Sequence, residues 1–303
     1  MSDRYLWDGG GRPDPEVERL ERLLARYRCP RRPAPVRLPR RAFAAVAAAA
    51  SIAAALLILH APPSHWELRM EGARARSLVP GETVATRTGQ AEIESGRVGR
   101  LRLEPESRLR MVVSRADQER FSLERGAMHA FIWAPPSRFV VDTPSATTID
   151  LGCEYELRVM DDGSGLLTVL HGWVAFQAGS VESFIPAGAV CRTEPRRGPG
   201  LPCYEDAPAA FRTAVAAFDA SRGREGLDAL LAGARPRDAL TLWHLLVRTS
   251  GPDRERVARR FGELVPEARP AALARADRAA LEAAWNALGL GDTEWWRTWK
   301  QKW

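Results

Sequence analysis

The chain has 303 residues, 45% of them hydrophobic, and a formal net charge of +6 with a pI near 9.6. The basicity is local: residues 1–41 hold 11 Arg against 6 acidic residues, net +5, so the other 262 residues sum to only +1 (6 minus 5), which argues against a nucleic-acid-binding face. Lysine occurs only at Lys300 and Lys302, which excludes a P-loop, and no HExxH, CxxC, GxSxG or GxGxxG sequence is present.

Residues 1–41 form a short segment with one helix. Tyr5, Leu6 and Trp7 precede a glycine turn at Gly9, Gly10 and Gly11. Asp14 then suits an N-cap, Pro15 the first helical position, and Glu16 and Glu18 the positive end of the helix dipole. Val17, Leu20, Leu23, Leu24 and Tyr27 recur at helical spacing as one apolar stripe. So short a helix cannot bury its stripe alone. The inner leaflet or a cytoplasmic protein would cover it, and the even mixture of Glu and Arg beside it favours the protein. The candidate contacts are Tyr5, Leu6, Trp7, Val17, Leu20, Leu24 and Tyr27.

Residues 42–60 contain AFAAVAAAASIAAALLIL, 18 uncharged residues from Ala42 to Leu59, about 27 Å of helix against a hydrocarbon thickness of ~30 Å. Arg31, Arg32, Arg37, Arg40 and Arg41 precede the run, and no Lys or Arg follows until Arg69. By the positive-inside pattern this predicts one uncleaved transmembrane helix, with residues 1–41 cytoplasmic and the rest across the membrane. Trp66 would then be an interfacial aromatic.

From residue 66 to 194 the period changes to two. Strands are predicted at Val98–Leu103, Leu109–Val113, Met128–Trp133, Phe139–Thr143, Ile149–Val159, Leu166–His171, Trp173–Phe176 and Val181–Ile185. This cadence predicts an all-β unit, a sandwich or a β-solenoid. Cys29 would be a free cytoplasmic thiol. Cys153, Cys191 and Cys203 would face an oxidising compartment, so one disulfide is expected; Cys153 and Cys191 are the preferred pair, because both flank strand-like runs.

A Pro/Gly linker follows at 195–206, then an α-helical domain at 207–303. Its helices are predicted at Ala207–Ala220, Gly226–Leu231, Ala239–Val247, Arg254–Val265, Arg278–Leu288 and Thr293–Lys302, punctuated by Pro236, Gly251-Pro252, Pro266, Pro270 and Gly289–Gly291. The last helix places Trp295 or Trp296, Trp299 and Trp303 on one face, with Trp243 and Trp285 as expected core partners. The fold class expected is therefore α+β multidomain: one transmembrane helix, an all-β module across the membrane and a C-terminal all-α domain. His60, His65, His129, His171 and His244 are scattered without metal-ligand spacing, so neither a metal, a cofactor nor an active site is expected.

The β unit resembles the FecR family of membrane-anchored signalling proteins. The likeness is carried by Gly81 and Thr86 in PGETVATRTG, by GRVGRLRLEPESRLRM, and by Phe139-Val140-Val141-Asp142-Thr143-Pro144. It continues through Leu151-Gly152-Cys153-Glu154-Tyr155-Glu156-Leu157, Leu167-Thr168-Val169 followed by Gly172-Trp173-Val174, and Ile185-Pro186-Ala187-Gly188, and spans about Pro80 to Cys191. Cys153 stands where the family commonly has Thr, and the cytoplasmic part is shorter than the usual anti-sigma domain. The resemblance implies a single-pass protein of a bacterial inner membrane, with a cytoplasmic N-terminus and periplasmic C-terminal domains, whose β-rich sensor module acts through an inner segment that controls an extracytoplasmic-function sigma factor. A scaffold or adaptor that binds an envelope protein or a glycan, with no transcriptional role, is the competing expectation.

Overall fold

The computed structural model describes residues 14–25 and 65–290. The chain falls into two compact units, Met1–Leu57 and Ile58–Trp303.

In the first unit, helix α1 (Pro15–Leu24) starts as its sequence dictates. Asp14 is extended, and its carboxylate accepts the Glu16 N–H at 2.9 Å, satisfying one of the N-terminal donors left open by the helical pattern. None of its residues is buried.

The second unit begins with sixteen strands. They are β1 (Trp66–Met70), β2 (Arg76–Leu78), β3 (Thr83–Ala85), β4 (Ala91–Ser95), β5 (Gly99–Leu103), β6 (Arg108–Ser114), β7 (Glu119–Ile132) and β8 (Phe139–Asp142). The others are β9 (Thr147–Asp150), β10 (Glu154–Val159), β11 (Gly165–His171), β12 (Trp173–Ala178), β13 (Val181–Pro186), β14 (Ala189–Glu194), β15 (Gly198–Pro199) and β16 (Cys203–Tyr204).

Strand β7 organises them. Its first half pairs with β6 and β8, its second half with β5 and β10. Between the halves Gly126 takes φ +88°, and a Cβ there would collide with Ser107, so only glycine fits the fold-over. A straight strand of 14 residues would run about 46 Å, yet six residues, 133–138, bring the chain back to set Phe139 beside Glu119 in a parallel pair. Six residues reach at most about 20 Å. The strand therefore doubles over, and its halves lie in two sheets that face each other.

One sheet runs β1, β4, β5, β7, β10, β11, β14; the other runs β3, β6, β7, β8, β9, β12, β13. Between them Trp66 of the first sheet meets Phe121 and Phe139 of the second, at ring distances of 5.1 and 6.3 Å. Trp66 is thus fully buried, and its indole N–H donates to the buried Glu119 carboxylate at 3.0 Å. It is a core residue rather than the interfacial aromatic expected from the sequence. Among the described residues every strand pair except β7–β8 is antiparallel, which suits packed sheets and not a parallel solenoid.

The helices are α2 (Ala209–Ser221), α3 (Leu227–Gly233), α4 (Ala239–Arg248), α5 (Gly251–Leu264), α6 (Pro270–Ala274) and α7 (Arg278–Ala287). They pack into the core of the sheets. Helix α4 is buried from Ala239 to Leu246, as a mostly apolar helix at the centre of a protein should be, and its buried polar side chains find partners. Its His244 Nε2 accepts the Phe184 N–H of β13 at 3.0 Å, and its Thr241 hydroxyl donates to Pro202 O at 2.7 Å. Trp285 of α7 lies 4.7 Å from Trp243, 5.7 Å from Phe184 and 5.9 Å from Trp173. Residues 195–206, expected as a linker, carry β15 and β16, which pair with β14.

The fold class expected from the sequence is corrected by these findings. The described chain is mostly β-sheet, with helices sharing its core instead of forming a separate all-α domain. Among the described residues no helix is long and apolar enough to cross a membrane. The longest, α5, has 14 residues, about 21 Å against the ~30 Å required. The expected spanning segment, 42–60, lies outside the described residues, as do Cys29, His60 and the Trp-rich stretch 293–302.

Candidate functional site

Of the residues predicted to meet a partner, Val17, Leu20 and Leu24 lie on α1, while Tyr5, Leu6, Trp7 and Tyr27 lie outside the described residues. Leu20, Leu23 and Leu24 are 55%, 55% and 59% exposed, so the described helix offers a row of leucines at the helical spacing that puts them on neighbouring positions.

The expected Cys153–Cys191 disulfide is absent, and all three described cysteines are free and buried. The sheet forbids the bond. Cys153 sits at the His171 end of β10, Cys191 is in register with Leu167, and β11 lies between β10 and β14. Two strand spacings are about 10 Å, beyond the ~7 Å between Cα atoms that a disulfide spans. Cys153 instead donates to the buried Asp150, whose other oxygen accepts the Gly152 N–H at 2.7 Å. Burial pushes the Asp150 carboxyl up to about 7, against the pull of these two donors, and pushes the Cys153 thiol well above its usual value. Cys191 is held up at about 12, again by burial, so neither sulfur is a ready nucleophile.

The described histidines form no metal site. His129 and His171 both contact Glu154, at 3.0 and 2.8 Å, on the outer face of the first sheet. His244 is buried, and among the described residues no cluster of three ligating side chains is placed to hold a metal ion.

The most marked concentration of chemistry was not expected. The β14–β15 turn and the C-terminal end of α2 enclose a cleft of about 410 Å³ lined by Arg192, Arg196, Arg197, Arg222 and Arg248, with Glu194 and Asp219. An adjoining cleft of about 490 Å³ shares the first four arginines. Arg197 pairs with Glu194. Arg248 donates to Ser183 Oγ at 2.5 Å and to Glu182 O at 3.2 Å. The Asp219 carboxylate caps the Leu201 N–H at 3.0 Å, and a Cβ on Gly200 would fall on it, so glycine lets the chain pass that close. Burial raises Asp219 to about 6, offset in part by the Leu201 N–H and by Arg248. Arg192, Arg196 and Arg222 make no ion pair with a described residue. Arg196 and Arg222 hold left-handed backbone, φ +64° and +58°. The only hint in the sequence is the Pro195-Arg196-Arg197-Gly198 turn.

Residues 82–175 match the family described as FecR protein. No curated protein matches the chain. Two solved structures of a candidate anti-sigma factor from Parabacteroides distasonis are similar in part. The first, at 1.65 Å, shows 16% identity and a TM-score of 0.36 over 45% of this chain. The second, at 2.50 Å, shows 18% identity and a TM-score of 0.31 over 50% of this chain. The present chain spans 65% of the length of each. The matched residues form β3 to β11 and the first half of β12, and this part of the chain is FecR-like.

Proposed function

We propose that this FecR-like chain is a membrane-associated signalling regulator, not an enzyme, which passes an envelope signal to a cytoplasmic sigma factor through residues 1–30. The carrying observation is the FecR family match over residues 82–175. The exposed Leu20, Leu23 and Leu24 of α1 support the contact, because a capped amphipathic helix with no buried residue is a ready docking element for a groove on another protein. Tyr5, Leu6, Trp7, Val17 and Tyr27 extend the proposed contact. The test is co-purification of a sigma factor with the full-length protein and with two variants, Leu20→Asp/Leu24→Asp and a deletion of residues 1–30. Two charges on the stripe should cut binding at least a hundredfold, since each forces a carboxylate into an apolar contact. Sigma-factor recovery that is equal in all three would overturn the proposal. It would leave the scaffold function, in which residues 1–30 are dispensable.

A further inference from the structure

We propose that the arginine-lined cleft beside the β14–β15 turn is a binding site for a phosphate-bearing ligand, a phosphomonoester or diphosphate group. The five arginines on its wall, set against Glu194 and Asp219, leave a formal charge of +3. Arg197 and Arg248 are engaged by Glu194 and by Ser183 with the Glu182 carbonyl, so the surplus falls on Arg192, Arg196 and Arg222. Arginines with a structural task in this protein look different: Arg120 is gripped by both oxygens of Asp142 at 2.6 and 2.8 Å, and Arg235 by both oxygens of Asp238. A single carboxylate would satisfy one guanidinium fork and leave two. A diphosphate brings about three negative charges and oxygens enough for all three. The cleft volume lies within the usual range of small-molecule sites.

Backbone strain points to the same residues. Arg222 follows α2 with its N–H on the Asp219 carbonyl and Gly223 N–H on Phe218 O, a helix end at which the left-handed position normally belongs to glycine. Arg196 occupies a left-handed position in the turn. Each is strained relative to glycine, and each places an unpaired guanidinium on the cleft. Glycine at either position would relax the backbone and delete the charge, which separates folding from binding.

The test is calorimetric titration of the full-length protein with pyrophosphate, beside sedimentation with phosphatidylcholine vesicles with and without phosphatidic acid. Arg196→Gly and Arg222→Gly should each weaken binding about tenfold, the loss of one charge-assisted contact, while their thermal midpoints stay at or above that of the unaltered protein. Arg222→Lys, which keeps the charge and loses the fork, should fall between. Pyrophosphate binding without vesicle binding identifies a soluble phosphorylated ligand. Binding to phosphatidic acid vesicles that both glycine variants weaken identifies a lipid headgroup. If neither probe binds, or if both variants bind as tightly as the unaltered protein, the proposal is overturned. Sigma-factor recovery plays no part in these readouts, so this site and the proposed signalling role fail independently.

Discussion

Asp150 shows how single residues in the family-matched module set the pH response of the fold. Its carboxyl is buried with only Cys153 and the Gly152 N–H as donors, which raises it to about 7, against about 4 in an unfolded chain. An acid raised on folding binds its proton more tightly in the folded state, so stability falls as pH climbs from about 4 to about 7 and then levels. Asp150→Asn keeps the shape and the oxygen that accepts from Gly152. It should match the unaltered protein near pH 4 and exceed it by on the order of 3 kcal/mol at pH 8, read by chemical denaturation at both pH values. An advantage of the same size at both would sink this account. None of this was legible in the sequence, where Cys153 reads as half of a disulfide. Neither strand order nor a buried carboxylate is encoded in spacing, and β11 between the two cysteines decides the matter. Trp66 teaches the same lesson, because its buried partners Glu119, Phe121 and Phe139 lie more than fifty residues away.

At the scale of elements, α4 and β13 meet through one side chain that acid can disable. His244 donates from Nδ1 to Leu240 O at 2.9 Å and accepts the Phe184 N–H at Nε2, so it must stay neutral. Burial, with Arg248 nearby, lowers it to about 3. A base lowered on folding contributes stability that is complete above its unfolded value of about 6.5 and is lost as pH falls towards 3. At pH 7.5 His244→Gln should be destabilising. That cost should shrink by about 2 kcal/mol at pH 5, since the unaltered protein alone bears the penalty of 1.5 pH units; thermal melts of both proteins at the two pH values measure it, and a cost independent of pH would refute it. The elements legible in the sequence were those with large side chains at the right period, such as β5, β6, β8, β11, β12 and β13. Strands β4 and β14 escaped because their inward positions are mostly small, Ala91 and Ser95 on either side of Ile93, and Ala189, Cys191 and Thr193. The first half of β7 escaped because the charged Glu119 and Arg125 stand where the alternation of Phe121 and Leu123 calls for apolar residues. Gly251-Pro252 and Pro270 read as breaks, yet both open helices, where proline's missing N–H is harmless. The arginine cleft was illegible because β14, the turn and α2 assemble it from separate stretches.

For the whole second unit, the sheets and helices should unfold together. The Trp173, Phe184, Trp243 and Trp285 cluster draws two rings from strands and two from helices. Asp206 is gripped by Arg235 and Arg237 at 3.1 and 2.7 Å, and Arg237 lies over the Tyr204 ring at 4.0 Å, so the segment between sheets and helices is fastened at its end as well. A chain of two independent domains would show tryptophan fluorescence and the far-ultraviolet helix signal melting apart. Here the helices cannot leave without uncovering Trp173 and Phe184, so the two signals should coincide in a denaturant titration. Trp285→Ala, which empties the centre of the cluster, should lower both by the same 3–5 kcal/mol typical of a large buried aromatic. If the variant moves only the helix signal and leaves a strand-derived transition in place, the two parts are separate domains after all and the shared core does not couple them.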